Sequence, residues 1–217
     1  PRLSFVDVAT GSLGQGICAA IGTALNARRI KSPYRTYVLL GDGCLMEGVS
    51  HEACSLAGTW GLGKLIAIWD DNRISIDGNT DGWFTDDTAA RFEAYGWQVI
   101  RNVDGHDPVE IAQAIRTAQA ETTKPSLICC RTVIGFGAPN KQGTAATHGA
   151  ALGREEVEAA RAELGLEPEE FTVPDDVLTA WRSAGKRGSV DHAQWKDRLD
   201  QSHRKVEFLA RLNGKVS

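Results

Sequence analysis

The 217-residue chain has 24 basic and 28 acidic side chains, which give it a formal net charge of −4 at pH 7. Nucleic-acid-binding domains carry a basic excess, so this balance predicts no nucleic-acid partner. Hydrophobic residues make up 42% of the chain, as is ordinary for a globular protein. A chain of this length allows one sizeable domain with an appendage. No apolar run approaches the roughly 20 residues that cross a bilayer, so we expect no membrane association.

The cysteines are five in number and lack a Cys-x-x-Cys spacing. Most lie in segments with an apolar period, so we expect reduced, buried thiols and a cytoplasmic protein. The chain opens on Pro1 rather than on Met, and no signal-peptide pattern follows. We therefore expect a processed protein or a piece of a longer one.

Helices and strands alternate along the first part of the chain. After the glycine-rich segment 11–16, small and apolar residues recur at helical spacing from Ile17 to Leu25. The pattern then predicts strand 36–40, helix 44–60, strand 65–69, helix 86–95, strand 97–103, helix 108–121 and strand 126–133. Strands separated by helices pair in parallel through right-handed crossovers. We predict an α/β fold, a doubly wound and mostly parallel sheet flanked by helices.

The periodic pattern stops after strand 126–133. Residues 135–153 contain five glycines and one proline, a composition typical of a loop, and long loops in compact domains are often functional. A helix is predicted at 154–164, and two polar helices are predicted at 175–183 and 191–212.

The C-terminal part of the chain is predicted to be a helical tail. We assign 1–165 to one domain and 166–217 to the tail. Four large apolar residues would be its buried anchors, namely Trp181, Trp195, Phe208 and Leu212.

Two short polar motifs follow neighbouring predicted strands. Gly41-Asp42-Gly43 comes after strand 36–40, and Asp70-Asp71-Asn72 comes after strand 65–69. Open α/β sheets bind ligands at the carboxyl ends of their strands. Mg²⁺ takes one or two protein oxygens there and fills its octahedron with phosphate and water. The spacing therefore predicts a split magnesium–diphosphate site, although Asp42 alone would be read as an ordinary turn residue.

The Gly-Asp-Gly motif followed by an Asn is similar to the thiamine diphosphate signature, and longer stretches resemble transketolase. Those stretches are 41–53, 55–59, 74–78, 82–88, 91–97 and 134–141. Deoxyxylulose-phosphate synthase and dehydrogenase E1 subunits share only the Gly-Asp-Gly to Asn frame. A nicotinamide-binding Rossmann domain fits less well, because the glycines at 11–16 do not follow a clear strand.

The resemblance implies that thiamine diphosphate is bound through Mg²⁺, with Ca²⁺ or Mn²⁺ as possible substitutes. It assigns the metal to the side chains of Asp42 and Asn72 and to the backbone carbonyl of Ile74. Gly43 leaves room for the phosphate, and the amides of the helix that follows would point at the anion.

The resemblance also implies roles for residues outside the metal site. Gly11, Ser12 and Leu13 resemble the loop that packs over the cofactor. His148 stands at the place of a family histidine that approaches cofactor and substrate, although an exposed loop imidazole is the plainer alternative. Glu47, expected one turn into helix 44–60, matches a glutamate of a carboxylate network between two active sites, and could instead only complement a helix N-terminus.

Two other histidines have plainer explanations. His51 lies on predicted helix 44–60, about two turns beyond the diphosphate motif, which favours a packing or interface role. His106 precedes Asp107-Pro108, a helix start with Asp at the N-cap and Pro at the first helical position. We assign catalysis to neither His51 nor the His106-Asp107 pair.

The resemblance implies the transketolase reaction of the pentose phosphate pathway. A two-carbon ketol unit would pass from a ketose phosphate such as xylulose 5-phosphate to an aldose phosphate such as ribose 5-phosphate. The family's activating glutamate lies in a pyrimidine-binding domain that nothing in these 217 residues matches. We therefore expect a homodimer, or a hetero-oligomer with a chain that bears that domain.

Three interpretations stay open. The chain is a piece of an ordinary transketolase, a subunit of a split enzyme, or a non-catalytic or regulatory module that binds thiamine diphosphate. Bacterial transketolases often have a second histidine where this chain has Ala145. That departure keeps the third interpretation open.

Overall fold

The computed structural model describes residues 10–167 and 169–215. In chain order the elements are α1 (Gln15–Arg29), β1 (Thr36–Gly41), α2 (Asp42–Met46), α3 (Gly48–Thr59), β2 (Leu65–Asp71), β3 (Ile74–Ser75), β4 (Gly78–Asn79), α4 (Thr88–Ala94), β5 (Gln98–Asp104), α5 (Pro108–Ala120), β6 (Ser126–Arg131), a 3₁₀ turn (Ala145–Thr147), α6 (Arg154–Glu163), α7 (Asp175–Lys186), α8 (Ser189–Asp200) and α9 (Lys205–Leu212). The chain divides after Leu166 into two compact units.

The first unit is built on a four-stranded sheet with the order β1-β2-β6-β5, in which every neighbouring pair is parallel. Gly41 on β1 pairs with Asp70 on β2, and Asp70 pairs with Cys130 on β6. The carboxyl ends of these three strands therefore meet at one edge. The prediction of a parallel sheet flanked by helices is confirmed.

The helices lie on both faces of this sheet, because alternate residues of each strand point to opposite faces. On one face α1, α3 and α4 pack on Leu65, Ala67 and Trp69 of β2. On the other face α5 packs on Ile66 of β2 and Ile128 of β6. Each helix covers an apolar stripe of the strands beneath it, so the core is double, as a doubly wound fold requires.

The predicted helix 44–60 is wrong in its continuity. Glu47 has φ −65° and ψ 133°, an extended conformation that ends α2 and makes this residue the N-cap of α3. The Ser50 hydroxyl donates to the carbonyl of Cys44 at 2.6 Å, and the Ser50 amide donates to the Glu47 carbonyl. These bonds supply partners at the junction that an unbroken helix would have supplied itself.

The second unit differs most from its prediction. Helix 191–212 is in fact two helices, since α8 ends at Asp200 and α9 begins at Lys205. The four expected anchors are not buried, and Trp181 and Leu212 are 79% and 68% exposed. No described residue of α7, α8 or α9 is buried. Among its described residues the second unit has three short helices and no strand, so it builds no interior of its own for these side chains. Within the described ranges, no helix is both long and apolar enough to cross a bilayer.

Candidate functional site

The paired strands β1 and β2 bring the two polar motifs together. Asp42 is the first residue of α2, directly after β1, and is only 4% exposed. The indole Nε1 of Trp69, near the end of β2, donates to Asp42 Oδ1 at 3.0 Å. The carboxylate is therefore fixed from the neighbouring strand.

The second oxygen of Asp42 is a buried acceptor without a donor. Oδ2 is inaccessible to solvent and has no hydrogen-bond partner among the described residues. Burial raises the pKa of Asp42 to about 6. The Trp69 hydrogen bond and the backbone amide of Arg73 oppose this rise, and the nearby Asp71 and Asp70 carboxylates add to it. A buried, unsatisfied carboxylate oxygen is costly, and a bound cation would remove that cost.

Asn72 is oriented by a turn of its own. Its Oδ1 accepts the amide of Ile74 at 2.9 Å, and its Nδ2 donates to Asp70 Oδ2 at 3.3 Å. The intervening Arg73 has φ 58°, in the left-handed region. Asp70 in turn accepts the hydroxyl of Thr132, which follows β6. An amide oxygen has two lone pairs, so Asn72 Oδ1 keeps one for a further partner.

A cavity of about 270 Å³ opens beside Asp42. Its walls include Trp69, Asp71, Arg73 and Thr80. A second cavity, of about 790 Å³, shares Trp69, Asp71 and Arg73 with the first but does not include Asp42. Carboxylates dominate the smaller cavity, which suits a cation better than a bare anion.

The glycine-rich segment before α1 packs against the start of α2 and α3. A Cβ atom placed on Gly43 would lie 3.0 Å from Leu13 Cδ1. Gly14 has φ 81°, and a Cβ there would lie 2.7 Å from Val49 Cγ1 and 3.1 Å from Glu47 Cβ. The structure thus brings Leu13, Gly43 and Glu47 into one neighbourhood.

The remaining members of that segment are open to solvent. Gly11 and Ser12 are exposed, and a Cβ on Gly11 would meet nothing within 4 Å. α2 has only five residues. The dipole behind Gly43 is therefore that of about one helical turn and not that of the long helix we predicted. Glu47 is half-buried at the N-cap of α3, not one turn inside a helix.

His148 is exposed, and among the described residues its hydrogen bonds do not involve Leu13, Gly43 or Glu47. It follows the 3₁₀ turn, and its amide donates to the carbonyl of Ala145 at 2.9 Å. Within the ranges 10–167 and 169–215, no hydrogen bond joins its ring to Asp42 or Asn72. Its predicted role therefore rests on the position of the loop.

The glycine-rich loop is fastened by a residue that sequence reasoning missed. Glu156, in the first turn of α6, is buried and accepts both the amide and the side-chain Nδ2 of Asn140, at 2.8 and 2.9 Å. The Asn140 side-chain bond lowers the pKa of Glu156. Lys141 donates from Nζ to the carbonyl of Leu152 across the same loop. No short motif marks such a clasp.

Trp69 is the other residue that sequence reasoning missed. The apolar pattern marks it only as the last residue of a predicted strand, although an aromatic N–H beside a strand-end motif usually seeks a partner when buried. The buried donor and the buried carboxylate satisfy each other.

The thiols and the acidic side chains add two further observations. All five thiols are free, and those of Cys54, Cys129 and Cys130 are buried. Burial raises the pKa of Cys54 and of Cys129 to about 12.

Among the described residues, no group of three or more His, Cys, Asp or Glu side chains could hold a metal ion. The predicted metal site has one carboxylate, one amide and one carbonyl, so it stays a prediction.

Comparison with known proteins identifies the family. A family model described as "Transketolase, thiamine diphosphate binding domain" matches residues 2–216. Transketolase 2 of Xanthobacter flavus is 50% identical over 227 residues, covering 98% of this chain and 33% of that protein. Transketolase 1 of Vibrio cholerae is 53% identical over 204 residues, covering 89% of this chain and 30% of that protein.

Solved structures give the same result. A transketolase of Pichia stipitis in complex with sedoheptulose 7-phosphate has a TM-score of 0.85 and 41% identity, covering 96% of this chain and 33% of that one. Transketolase from Leishmania mexicana has a TM-score of 0.87 and 37% identity, covering 97% of this chain and 34% of that one. The chain spans about a third of the length of these relatives. It belongs to the transketolase family, as a thiamine diphosphate-binding domain.

Proposed function

We propose that this chain supplies the diphosphate- and metal-binding half of a transketolase active site. Residues 1–165 would form that domain, and the helical tail 166–217 would lead toward a pyrimidine-binding domain. The buried and unpartnered Oδ2 of Asp42 carries the proposal. A buried acceptor without a partner is unusual in a folded protein, and a bound ion is one explanation for it. Its position at the strand-end motif favours that explanation for Asp42 over the other unpaired buried atoms.

The metal would be Mg²⁺, with Ca²⁺ or Mn²⁺ able to replace it. Asp42 offers Oδ2, Asn72 offers the second lone pair of Oδ1, and Ile74 offers its backbone carbonyl. These are the hard oxygen donors that Mg²⁺ prefers, and phosphate oxygens and water would complete the shell. Placing one carboxylate and two neutral oxygens there limits repulsion with a diphosphate.

The cofactor would be thiamine diphosphate, which when bound supplies a nucleophilic carbon and an electron sink for the two-carbon unit. Because Gly43 has no side chain, Leu13 packs close to the start of α2, where a Cβ on Gly43 would lie 3.0 Å from Leu13 Cδ1. Gly11 and Ser12 would extend that surface over the cofactor rings. These residues bind and orient the cofactor.

Two polar residues would act beyond the metal. His148, on the exposed glycine-rich loop, would contact the diphosphate and the bound sugar phosphate. Glu47, half-buried between α2 and α3, would belong to a carboxylate network that links two active sites. Its side chain makes no capping hydrogen bond to α3, and this supports the role because the carboxylate is not used by its own helix.

The reaction would be ketol transfer from xylulose 5-phosphate or a similar ketose phosphate to an aldose phosphate such as ribose 5-phosphate. The complex of the P. stipitis transketolase with sedoheptulose 7-phosphate supports that substrate class. The partner would be a pyrimidine-binding domain in a homodimer or hetero-oligomer. We keep the cytoplasm as the predicted compartment, since five free thiols suit a reducing environment.

Calorimetric titration of thiamine diphosphate in the presence of Mg²⁺ tests the proposal. In the assembled protein, Asp42→Ala should abolish Mg²⁺-dependent binding. Asp77→Ala is the matched control, because Asp77 is an exposed carboxylate of the nearby β3–β4 hairpin. Binding by Asp42→Ala equal to that of the control would overturn the metal assignment. Cofactor binding without ketol transfer in the assembled protein would instead favour the regulatory module.

A further inference from the structure

The turn between β5 and α5 lies directly against the start of the glycine-rich loop. The amide of Gly105 donates to the carbonyl of Arg131 at 2.8 Å. A Cβ on Gly105 would lie 2.4 Å from Thr132 Cγ2 and 2.9 Å from the Arg131 carbonyl oxygen. Only glycine allows so close an approach, so the two segments are held as one surface.

His106, the next residue of that turn, makes two contacts with the loop. Its Nε2 accepts the amide of Val133 at 2.8 Å. Its ring stacks on Phe136, with the ring centroids 4.1 Å apart and an interplanar angle of 21°. Accepting at Nε2 requires the neutral imidazole with its proton on Nδ1. The amide of His106 donates to Asp104 Oδ1 at 2.8 Å, which fixes the backbone of the turn.

The same part of the loop contacts the residue before His148. A Cβ on Gly135 would lie 2.5 Å from Thr147 Cγ2, so the Gly135 backbone and the Thr147 side chain are in direct contact. The amide of Gly143 donates to the carbonyl of Ile134 at 2.8 Å and closes the loop between them. Contacts thus run from His106 through 133–136 to Thr147 and His148.

We infer that His106 is a positioning residue. Through its contacts with the loop it would hold His148 in position relative to the sheet edge where the carboxyl ends of β1, β2 and β6 meet. The inference rests on the role proposed for His148, and it assigns no contact between His106 and the substrate. Asp107 caps α5 by accepting the amide of Val109 at 2.7 Å. That cap explains Asp107 but uses no atom of the His106 side chain.

Three variants separate the two contacts of His106. His106→Gln keeps an acceptor near the position of Nε2 and loses the stacked ring, His106→Phe does the opposite, and His106→Ala removes both. The matched control is His192→Ala, since His192 also stacks on an aromatic ring, that of Trp195 in the second unit. All are made in the assembled holoenzyme with thiamine diphosphate and Mg²⁺.

Hydrogen–deuterium exchange of the peptide over 132–148 is measured first. His106→Ala should speed exchange about fivefold, the equivalent of one lost hydrogen bond. His106→Phe should speed exchange at the Val133 amide, and His106→Gln should restore its protection. Exchange in His106→Ala equal to that of His192→Ala would overturn the inference, whatever the activity of the enzyme.

Steady-state kinetics then links the loop to the reaction. His106→Ala should raise the KM for the donor ketose phosphate about fivefold and change kcat less than about twofold, and His106→Gln should recover most of the KM. In the His148→Ala background, His106→Ala should add nothing further. An equal fall in kcat without rescue, or a full additional effect in that background, would overturn the positioning role. If His148→Ala alone changes nothing, the role proposed for His148 fails, while the exchange result still stands on its own.

Discussion

The two halves of the candidate site are built in opposite ways. The strand-end half is held by paired parallel strands, with Asp42 buried and Asn72 half-buried. The loop half, around His148, is exposed and held by contacts from outside the loop, notably those of His106 and Glu156. The sheet fixes the first half. The second half is held by individual side-chain contacts, each of which a single substitution would remove.

The difference fits the roles that we propose for the two halves. The proposed metal–diphosphate site needs oxygens in fixed positions, and the edge of a parallel sheet provides them. The proposed substrate contact of His148 needs access to solvent, which a loop provides. The cost of the first arrangement is an unsatisfied carboxylate oxygen, and the cost of the second is a dependence on distant residues.

Substitution of Gly14 should damage the strand-end half most. Gly14→Ala places a Cβ at φ 81°, where it overlaps Val49, and should lower the free energy of unfolding by about 2–4 kcal/mol. Urea denaturation measures the loss. Gly11→Ala is the stability control, because a Cβ on Gly11 meets nothing within 4 Å. Equal midpoints for the two variants would mean that the segment before α1 is not held against Glu47 and Val49.

The pH dependence of stability should expose the cost of Asp42. Burial raises the pKa of Asp42 to about 6, whereas an unfolded Asp has a pKa of about 3.9. The folded protein therefore holds this proton more tightly, and the stability that the proton gives is full below pH 4 and lost as the pH rises through 6. Without ligands, this contribution should fall by about 2 kcal/mol between pH 4.5 and pH 7.5.

Asp42→Asn isolates that contribution, since Asn does not titrate and can still accept from Trp69. The difference in free energy of unfolding between parent and variant should shift by about 2 kcal/mol over that pH range, in favour of the variant at the higher pH. A difference that stays constant with pH would show that Asp42 is not a buried, unsatisfied carboxylate.

The sequence allowed good predictions of the strand-end half. The apolar strands followed by Asp42 and Asn72, together with parallel pairing, were enough to place the two motifs at one edge. Trp69 was not identified as the donor to Asp42, because a periodic pattern gives the face of a side chain but not its hydrogen bond. Glu47 is not inside a helix as predicted, because its extended backbone ends α2. The Ser50–Cys44 bond at that break spans six residues, a spacing that no helical period predicts.

The exposure of the tail residues and the bonds that hold the loop do not follow from local sequence patterns, because both depend on contacts between distant parts of the chain. Their large apolar side chains predicted anchors at Trp181 and Leu212. An apolar side chain does not supply the surface against which it is buried, and both residues are exposed. The hydrogen bonds between Glu156 and Asn140 join residues 16 positions apart across an irregular loop. No helical or strand period relates them.

The loop half should become more mobile when the hydrogen bonds between Glu156 and Asn140 are weakened. Glu156→Gln keeps the shape of the side chain but removes its charge and replaces one of the two oxygens that accept from Asn140 by an N–H donor. Tryptic cleavage after Lys141, followed by mass spectrometry, should become severalfold faster, while the stability of the sheet changes little. Glu155→Gln, the same substitution one residue earlier on the exposed side of α6, is the control. Unchanged cleavage would mean that the loop is held without Glu156.

The smallest expected effect concerns His148, because its side chain is exposed and its proposed contacts with diphosphate and substrate would be polar. His148→Ala in the assembled enzyme should raise the donor KM about fivefold, near 1 kcal/mol, and should weaken thiamine diphosphate binding by no more than a similar factor. That pattern would contrast with Asp42→Ala, which removes cofactor binding itself. Kinetics equal to those of the parent would reduce His148 to an ordinary loop residue.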